Sequence, residues 1–384
     1  MKYRHTLILS LLISVLLIPV EGNCCTSAIF SGKVTSDGRP IIWKNRDSAF
    51  EHNRVAYVAA SDSIKYSFIY LSNSDKNLQE AWSGVNSEGF SIMNTVSYNI
   101  RMEGDDTPEE KMDREGEVMY KALATCVCLE DFEKLLDSLE KPMGLETNFG
   151  VIDAAGGAAY YEVNNYSWIK YDVNDAPEGY IIRSNYSFSG RENEGKGYVR
   201  YTNASQLIKY RLEEEGKINV RFIIDGLSRS YWQSELGVDP MNAGYVFHID
   251  RDFIPRESSV AVTIVQGVNP GDKTSDCVFW CALGYPPVSQ IVPMKVIAGD
   301  IIPQDMTGIG EHNYSPACER SLIRKADVFS FESPDGRGKI MVNLKKVRPV
   351  MKDIRGVEKK IFRNFSRRMD REQMKRFYEK IEIR

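Results

Sequence analysis

Two adjacent cysteines, Cys24 and Cys25, follow a short apolar run, and the second could carry two reactive groups at once. If the chain is cut just before Cys25, that residue presents both a thiol and a free α-amine. A thiol ordinarily titrates near ~8.5 and an α-amine near ~7.7–8.0, so the amine can accept the thiol proton near neutral pH, directly or through water. A nucleophile and its own base on one residue is the minimum equipment for acyl transfer. The turn Ser36-Asp37-Gly38 and the charged tetrapeptide Lys44-Asn45-Arg46-Asp47 come next. A hairpin returns the chain close to its start, which can set the tetrapeptide beside Cys25. Asp47 is then expected to bind the α-amine, and Lys44 or Arg46 to stabilise the thiolate. Taken alone, the cluster reads as an exposed charged strand end. A disulfide or a lipid anchor is the competing use of Cys25. An internal cysteine would need a histidine, and the chain has only His5, His52, His248 and His312.

Acyl transfer also needs donors for the oxyanion of a tetrahedral intermediate. Asn94, after Phe90-Ser91-Ile92-Met93, and Asn185, at the end of Tyr180–Ser184, are the candidates, both read as strand-end positions. Arg200 opens a helix, where an arginine runs against the helix dipole and so calls for a local partner, catalytic or a plain surface ion pair.

The elements that must position these residues follow from the hydrophobic pattern. Cys25–Phe30 and Ile41–Trp43 read as a hairpin, and Ala81–Val85 with Phe90–Val96 as a second one. Thr107-Pro108-Glu109-Glu110 carries the signals of a helix start, with Val118, Met119, Leu123 and Val127 as its apolar face. A second helix is expected over Leu129–Glu140. Strands return at Phe149–Asp153, Ala158–Val163 and Tyr180–Arg183, a helix at Val199–Glu215, and strands at Ser259–Val265 and Cys277–Leu283. Strand pairs, then helices, then strand pairs argue an α+β protein whose antiparallel sheets are covered by helices. Asn185–Gly197, rich in Gly, Ser and Glu, reads as a mobile loop. From Ile354 to Ile381 apolar residues recur at helical spacing between Lys and Arg. They predict helices packed on the core, with contact to an anionic membrane surface as the other use.

The chain has 384 residues, 42% hydrophobic and 27% charged, with a net charge of −4. That composition is globular, and the charge gives no electrostatic case for nucleic acid. Lys2, Arg4 and His5 followed by apolar Thr6–Val20 read as an export signal too short to span a bilayer. The cut could fall after Cys24, or after Gly22 with later trimming. Lipidation of Cys24 is a third possibility. Seven cysteines leave an odd thiol for an exported chain. Cys126 and Cys128, like Cys277 and Cys281, are expected as core positions; a thiol-redox or metal role for them is the weaker alternative.

Cys25-Thr26-Ser27-Ala28-Ile29, the Ser36-Asp37-Gly38 turn and Lys44–Asp47 resemble the start of the choloylglycine hydrolase and acyl-CoA:isopenicillin N acyltransferase group. That group is peptidase C45-like and belongs to the N-terminal-nucleophile hydrolases. The resemblance continues at Gly84–Gly89, Asn148–Asp153, Arg183-Ser184-Asn185, Val199-Arg200-Tyr201 and Trp280–Gly284, over most of Cys25 to about Pro293. It implies a four-layer αββα sandwich with Cys25 as nucleophile. It also implies Asp47 as the amine-binding aspartate, Asn185 and Asn94 in the oxyanion region, and Arg200 as the family's late arginine. The chain departs from the bile salt hydrolases in having Lys44 where they carry arginine, and in a longer first hairpin. Both departures favour the acyltransferase-like branch.

The resulting expectation is a signal peptide or propeptide over 1–24, a hydrolase domain over 25–320 and a mostly helical extension over 321–384. The protein is expected to be exported, periplasmic or at the cell surface or secreted. It would cleave linear amide bonds of a small-molecule N-acyl substrate through a thioester. An acyltransferase, or a non-catalytic lipid-anchored binding protein on the same fold, stand as alternatives. No cofactor, metal or nucleic acid is implied; membrane contact follows only from lipidation, and a homo-oligomer is allowed.

Overall fold

The computed structural model describes residues 25–74, 79–332 and 339–384. The expected signal segment, its cleavage site and Cys24 lie outside the described residues. The chain opens with β1 (Thr26–Phe30) and β2 (Ile41–Asp47), followed by β3 (Asn53–Val58), β4 (Phe68–Asn73), β5 (Ser83–Asn86) and β6 (Ser91–Val96). Two helices, α1 (Glu115–Thr125) and α2 (Leu129–Asp137), precede β7 (Thr147–Ile152), β8 (Ala158–Val163), β9 (Trp168–Asp172) and β10 (Tyr180–Arg183). Then come α3 (Tyr198–Glu215) and α4 (Val220–Phe222), which runs on as a π-type turn over Ile223–Ser228. The second half holds β11 (Phe247–Ile249), β12 (Ser259–Gln266), β13 (Val278–Leu283), β14 (Val292–Met294), α5 (Gln304–Thr307), α6 (Pro316–Val328), β15 (Phe329–Glu332), β16 (Lys339–Asn343), α7 (Leu344–Asn364) and α8 (Arg371–Tyr378).

The strands form two large antiparallel sheets. The first has the order β10-β1-β2-β12-β13-β14 and the second runs β3-β4-β5-β6-β7-β8-β9. They face each other, with β2 against β6 and β7 and β12 against β5. Ile29, Ile42, Val85, Met93, Ile152 and Val265 share the core between them. Helices α1 and α2 cover the outer face of the second sheet with Val118, Met119, Leu123, Phe132 and Leu136 against Phe68, Phe90 and Phe149. On the first sheet's outer face lie α3 and α4; Trp43 Nε1 donates to Ser228 Oγ there at 2.8 Å. Helix, sheet, sheet, helix is the αββα arrangement expected above.

The C-terminal region is helical, as expected, and it is part of the body. The apolar stripe of α7, including Met351, Ile354, Val357 and Ile361, is buried. Phe362 stacks on Trp280 with ring centroids 5.1 Å apart. The boundary expected at 320/321 falls inside α6. A small third sheet, β11-β16-β15, ties the segment before β12 to the C-terminal hairpin, a pairing no local pattern announces. Among the described residues no helix is long and apolar enough to cross a membrane.

Other expectations need correction. Thr107–Glu110 starts no α-helix: Glu109–Lys111 make a single 3₁₀ turn, and Asp113 at φ 63° breaks the run before α1. Asn94 lies inside β6 rather than at its end. The 185–197 loop is pinned, because the Glu162 carboxylate accepts the backbone N–H groups of Phe188 and Ser189 at 2.8 Å each.

Candidate active site

All seven residues of β2 are buried, including Lys44, Asn45, Arg46 and Asp47. Strand alternation divides them between two faces. Lys44 and Arg46 point between the sheets, and Trp43, Asn45 and Asp47 point to the outer helical layer. Ser27 pairs with Lys44 across the hairpin, so the two side chains share the inner face. Cys25, two residues before Ser27, sends its thiol to the same side. Its Sγ is 3.9 Å from the backbone carbonyl of Asp47, and the residue is 4% exposed.

Lys44 Nζ donates to Asn94 Oδ1 at 2.8 Å and to the Trp82 carbonyl at 3.0 Å. Asn94 Nδ2 donates in turn to Thr147 Oγ1 at 3.3 Å. Burial pulls the Lys44 ammonium down to about 8; the nearby Cys25 thiolate opposes that pull, and the Arg46 guanidinium adds to it. Arg46 bonds to Asn53 Oδ1 and lies 4.8 Å over the Trp82 ring; burial brings it down to about 10 against the same thiolate. Two buried cations therefore lie on the thiol's side of the hairpin.

Arg200 reaches in from the first turn of α3. Its Nη1 donates to the Cys25 carbonyl at 2.6 Å and to Thr26 Oγ1 at 2.8 Å, and its Nη2 to Asn185 Oδ1 at 2.9 Å. Asn185 Nδ2 donates across to the Val96 carbonyl at the end of β6 at 2.9 Å. The chain turns into α3 through Gly197, whose φ of 80° suits glycine; a Cβ there would sit 2.4 Å from Arg200 Nη2. The partner that the position of Arg200 called for is thus the start of β1, at the Cys25 carbonyl and Thr26 Oγ1.

Asp47 differs from expectation in its partners. Its carboxylate accepts Ser259 Oγ at 2.6 Å and Arg256 Nε at 2.8 Å, both from the start of β12 or the segment before it. It lies on the outer face, opposite the thiol, beside the strand end where a free Cys25 α-amine would emerge. Sequence reasoning missed Arg256 and Ser259. The β-bulge between Ser259 and Ala261 opposite Asp47 is what turns them toward it, and a bulge has no signature in Ser258-Ser259-Val260.

Of the six candidate residues, Cys25, Asn185 and Arg200 are joined by hydrogen bonds and so are Lys44 and Asn94, whereas the Asp47 carboxylate lies on the other face of β2. Cys126, Cys277 and Cys281 are buried and Cys128 is half-buried, and none forms a disulfide. Among the described residues no group of three or more His, Cys, Asp or Glu side chains could hold a metal ion. His52 is occupied with Glu319 at 2.7 Å, far along the chain from the thiol.

No family model matches the chain, and no curated protein matches it either. Solved structures do. The chain is similar to a Caenorhabditis elegans N-acylethanolamine-hydrolyzing acid amidase ortholog, with 14% identity over 63% of this chain and 92% of that one and a TM-score of 0.44. A mutant of the conjugated bile acid hydrolase from Clostridium perfringens matches with 10% identity over 71% and 92%, at a TM-score of 0.44. Penicillin V acylase from Agrobacterium tumefaciens matches with 10% identity over 71% and 86%, at 0.40.

Proposed function

We propose that this protein is an exported hydrolase of linear amide bonds in small N-acyl substrates, with Cys25 as the nucleophile of a thioester acyl-enzyme. The observation that supports it most is the cation pair, Lys44 and Arg46, buried with the Cys25 thiol on one face of the first hairpin. The thiolate attacks the amide carbonyl, the amine leaves, and water completes the turnover. A free α-amine on Cys25, made by removing residues 1–24, would supply a base, with the Asp47 carboxylate at the same strand end to hold its ammonium form. Donors for the developing oxyanion would come from the amides of Asn94 and Asn185, held by Lys44 and Arg200. An amine entering in place of water would make the same thioester an acyl donor, so transferase and hydrolase differ only in the acceptor.

The test is Cys25→Ala, assayed against a panel of acylated amino acids, penicillin V and conjugated bile acids. Cleavage should vanish while the circular dichroism spectrum stays that of the parent. Full activity in the variant would sink the proposal. Mass spectrometry of the mature N-terminus should find an unmodified Cys25 first; a diacylglyceryl Cys24 would point to the anchored binding protein instead.

A further inference from the structure

Helices α7 and α8 carry a charge unlike that of the body they pack on. Residues 344–384 hold fifteen lysines and arginines against six aspartates and glutamates, in a chain whose net charge is −4. Packing sorts these charges. The apolar stripe of α7 is buried, and Glu358 goes inward with it to Arg229. Asp353 is taken up by Arg384. Lys352, Lys359, Lys360 and Arg363 stay exposed. A surface that serves solubility alone mixes the two signs, whereas this one gathers a single sign.

Between the end of α7 and α8 the same surface opens into a cleft of about 540 Å³. Arg376 and Lys380 line it one turn apart, and Arg368 comes from the segment that joins the two helices. All three are exposed, and among the described residues none of their side chains makes an ion pair or a hydrogen bond. Arg367 and Arg371, close by in the chain, are instead tied to Asp272 and Asp300 of the body. Glu372 and Glu379 belong to the same stretch but do not line the cleft. Its floor is apolar, with Met369 and Ile381 half-buried and Phe377 buried.

Three unpaired cations over an apolar floor match the anionic group of an amphiphile. A phosphodiester would accept from the two guanidinium groups and the ammonium. The carbons esterified to it would lie over Met369, Phe377 and Ile381. The exposed cations of α7 extend the positive charge beyond the cleft, which suits a surface bearing many such groups better than one soluble molecule. No large apolar side chain of residues 344–384 is exposed, so such a contact is electrostatic and reversible and inserts nothing into the bilayer. The cleft also lies at the far end of the first sheet from the thiol. Arg367 meets Asp272 in the connection between β12 and β13, whereas Asp47 meets Ser259 at the start of β12.

We propose that the α7–α8 face docks on a membrane surface of anionic phospholipid, with one headgroup phosphate held between Arg368, Arg376 and Lys380. The contact needs no lipid on Cys24 and leaves the Cys25 end of the sheet uncovered.

The test is sedimentation of the protein with vesicles of phosphatidylcholine, alone or with about a quarter phosphatidylglycerol, at ~0.1 M salt. The protein should pellet with the anionic vesicles, remain in solution with the neutral ones, and be released by ~0.5 M salt. The triple variant Arg368→Gln, Arg376→Gln, Lys380→Gln should bind about 10²-fold more weakly, since each cation near such a surface is worth about fivefold. Removing three exposed lysines elsewhere, by Lys121→Gln, Lys134→Gln and Lys209→Gln, should leave binding at the parental level. Equal pelleting with both kinds of vesicle, none with the anionic ones, or a triple variant that binds as the control does would overturn the proposal. Displacement of the vesicles by inorganic phosphate at constant ionic strength would overturn it in favour of a site for a free anion. Tighter binding to an oligonucleotide than to the vesicles would overturn it in favour of nucleic acid. Should the triple variant misfold, acetylation of the parent by acetic anhydride, read by peptide mass mapping, puts the same question. Anionic vesicles should shield Lys380 and not Lys209; equal labelling of the two refutes the assignment.

Discussion

Glu358→Gln should cost this fold about 3 kcal/mol. Glu358 on α7 and Arg229, just after the π-type turn, form a bidentate pair at 2.7 and 2.8 Å. The Arg229 side chain is 0% exposed and that of Glu358 3% exposed. The same carboxylate accepts the backbone N–H of Ile291 at 2.7 Å. Glutamine keeps the shape but removes the charge and turns an N–H₂ group toward a guanidinium N–H. Breaking a buried ion pair from one side costs ~3–5 kcal/mol. Asp225, 3.1 Å from Arg229 and 29% exposed, remains as a partial counter-charge, which argues for the low end. At roughly 2 °C per kcal/mol for a chain of this size, Tm should drop by about 6 °C. Arg229→Met combined with Glu358→Met should recover part of the loss, because no unpaired charge is then buried. The recovery stays incomplete, since the carbonyls of Pro286 and Ser289 lose their donor, at ~1 kcal/mol each. Urea unfolding followed by circular dichroism measures the parent, Glu358→Gln, the double variant and its two single Met variants. A loss under about 1 kcal/mol in Glu358→Gln, or strictly additive single costs in the double variant, would refute the reasoning.

Two further outcomes are expected. Arg200→Met removes the bonds to Cys25 O, Thr26 Oγ1 and Asn185 Oδ1 and, on the proposed function, should lower kcat/KM by about 10²-fold through misplacement of Cys25; steady-state kinetics within threefold of the parent would contradict this. Glu115 is fully buried, and burial raises its carboxyl to about 7 from an unfolded value near ~4.3. Its folded pKa is raised, so the neutral acid favours the fold at low pH, and that contribution is lost as pH climbs through about 7. Glu115→Gln keeps the carbonyl oxygen for the Glu146 N–H bond. It should therefore gain about 1–3 kcal/mol at pH 8 and nothing at pH 4, read from urea midpoints; equal effects at both pH values would count against a buried, raised carboxyl.

The parts of this molecule that could be read from the sequence are those set by short-range rules. A turn between alternating runs gave the β1–β2 hairpin, and the hairpin alone brings Lys44 to Cys25. The start of α3 with its misplaced arginine pointed to a partner, which proved to be the Cys25 carbonyl. What escaped the reading depends on distant pairing. Arg256 and Ser259 meet Asp47 across separations of 209 and 212 residues and through a bulge. The loop at 185–197 has the composition of a mobile segment, yet Glu162 on β8 and the amides of Asn99 and Asn148 fix it. No α-helix follows Thr107 because Asp113, in the left-handed region at φ 63°, breaks the run before α1.

The strand order β10-β1-β2-β12 also bears on how the protein comes into being. The hairpin that carries the thiol closes early, since its strands are neighbours in the chain. The strands on either side of it arrive from far away: Arg183 pairs with Ser27, and Thr263 with Lys44. Contacts of such long sequence separation form slowly, because loop-closure entropy is spent before they give anything back. Until they form, β2 has water on both faces, and Lys44 lacks the burial that pulls its ammonium down to about 8. Completion of the sheet, not the presence of the residues, is what encloses Cys25 with its two cations.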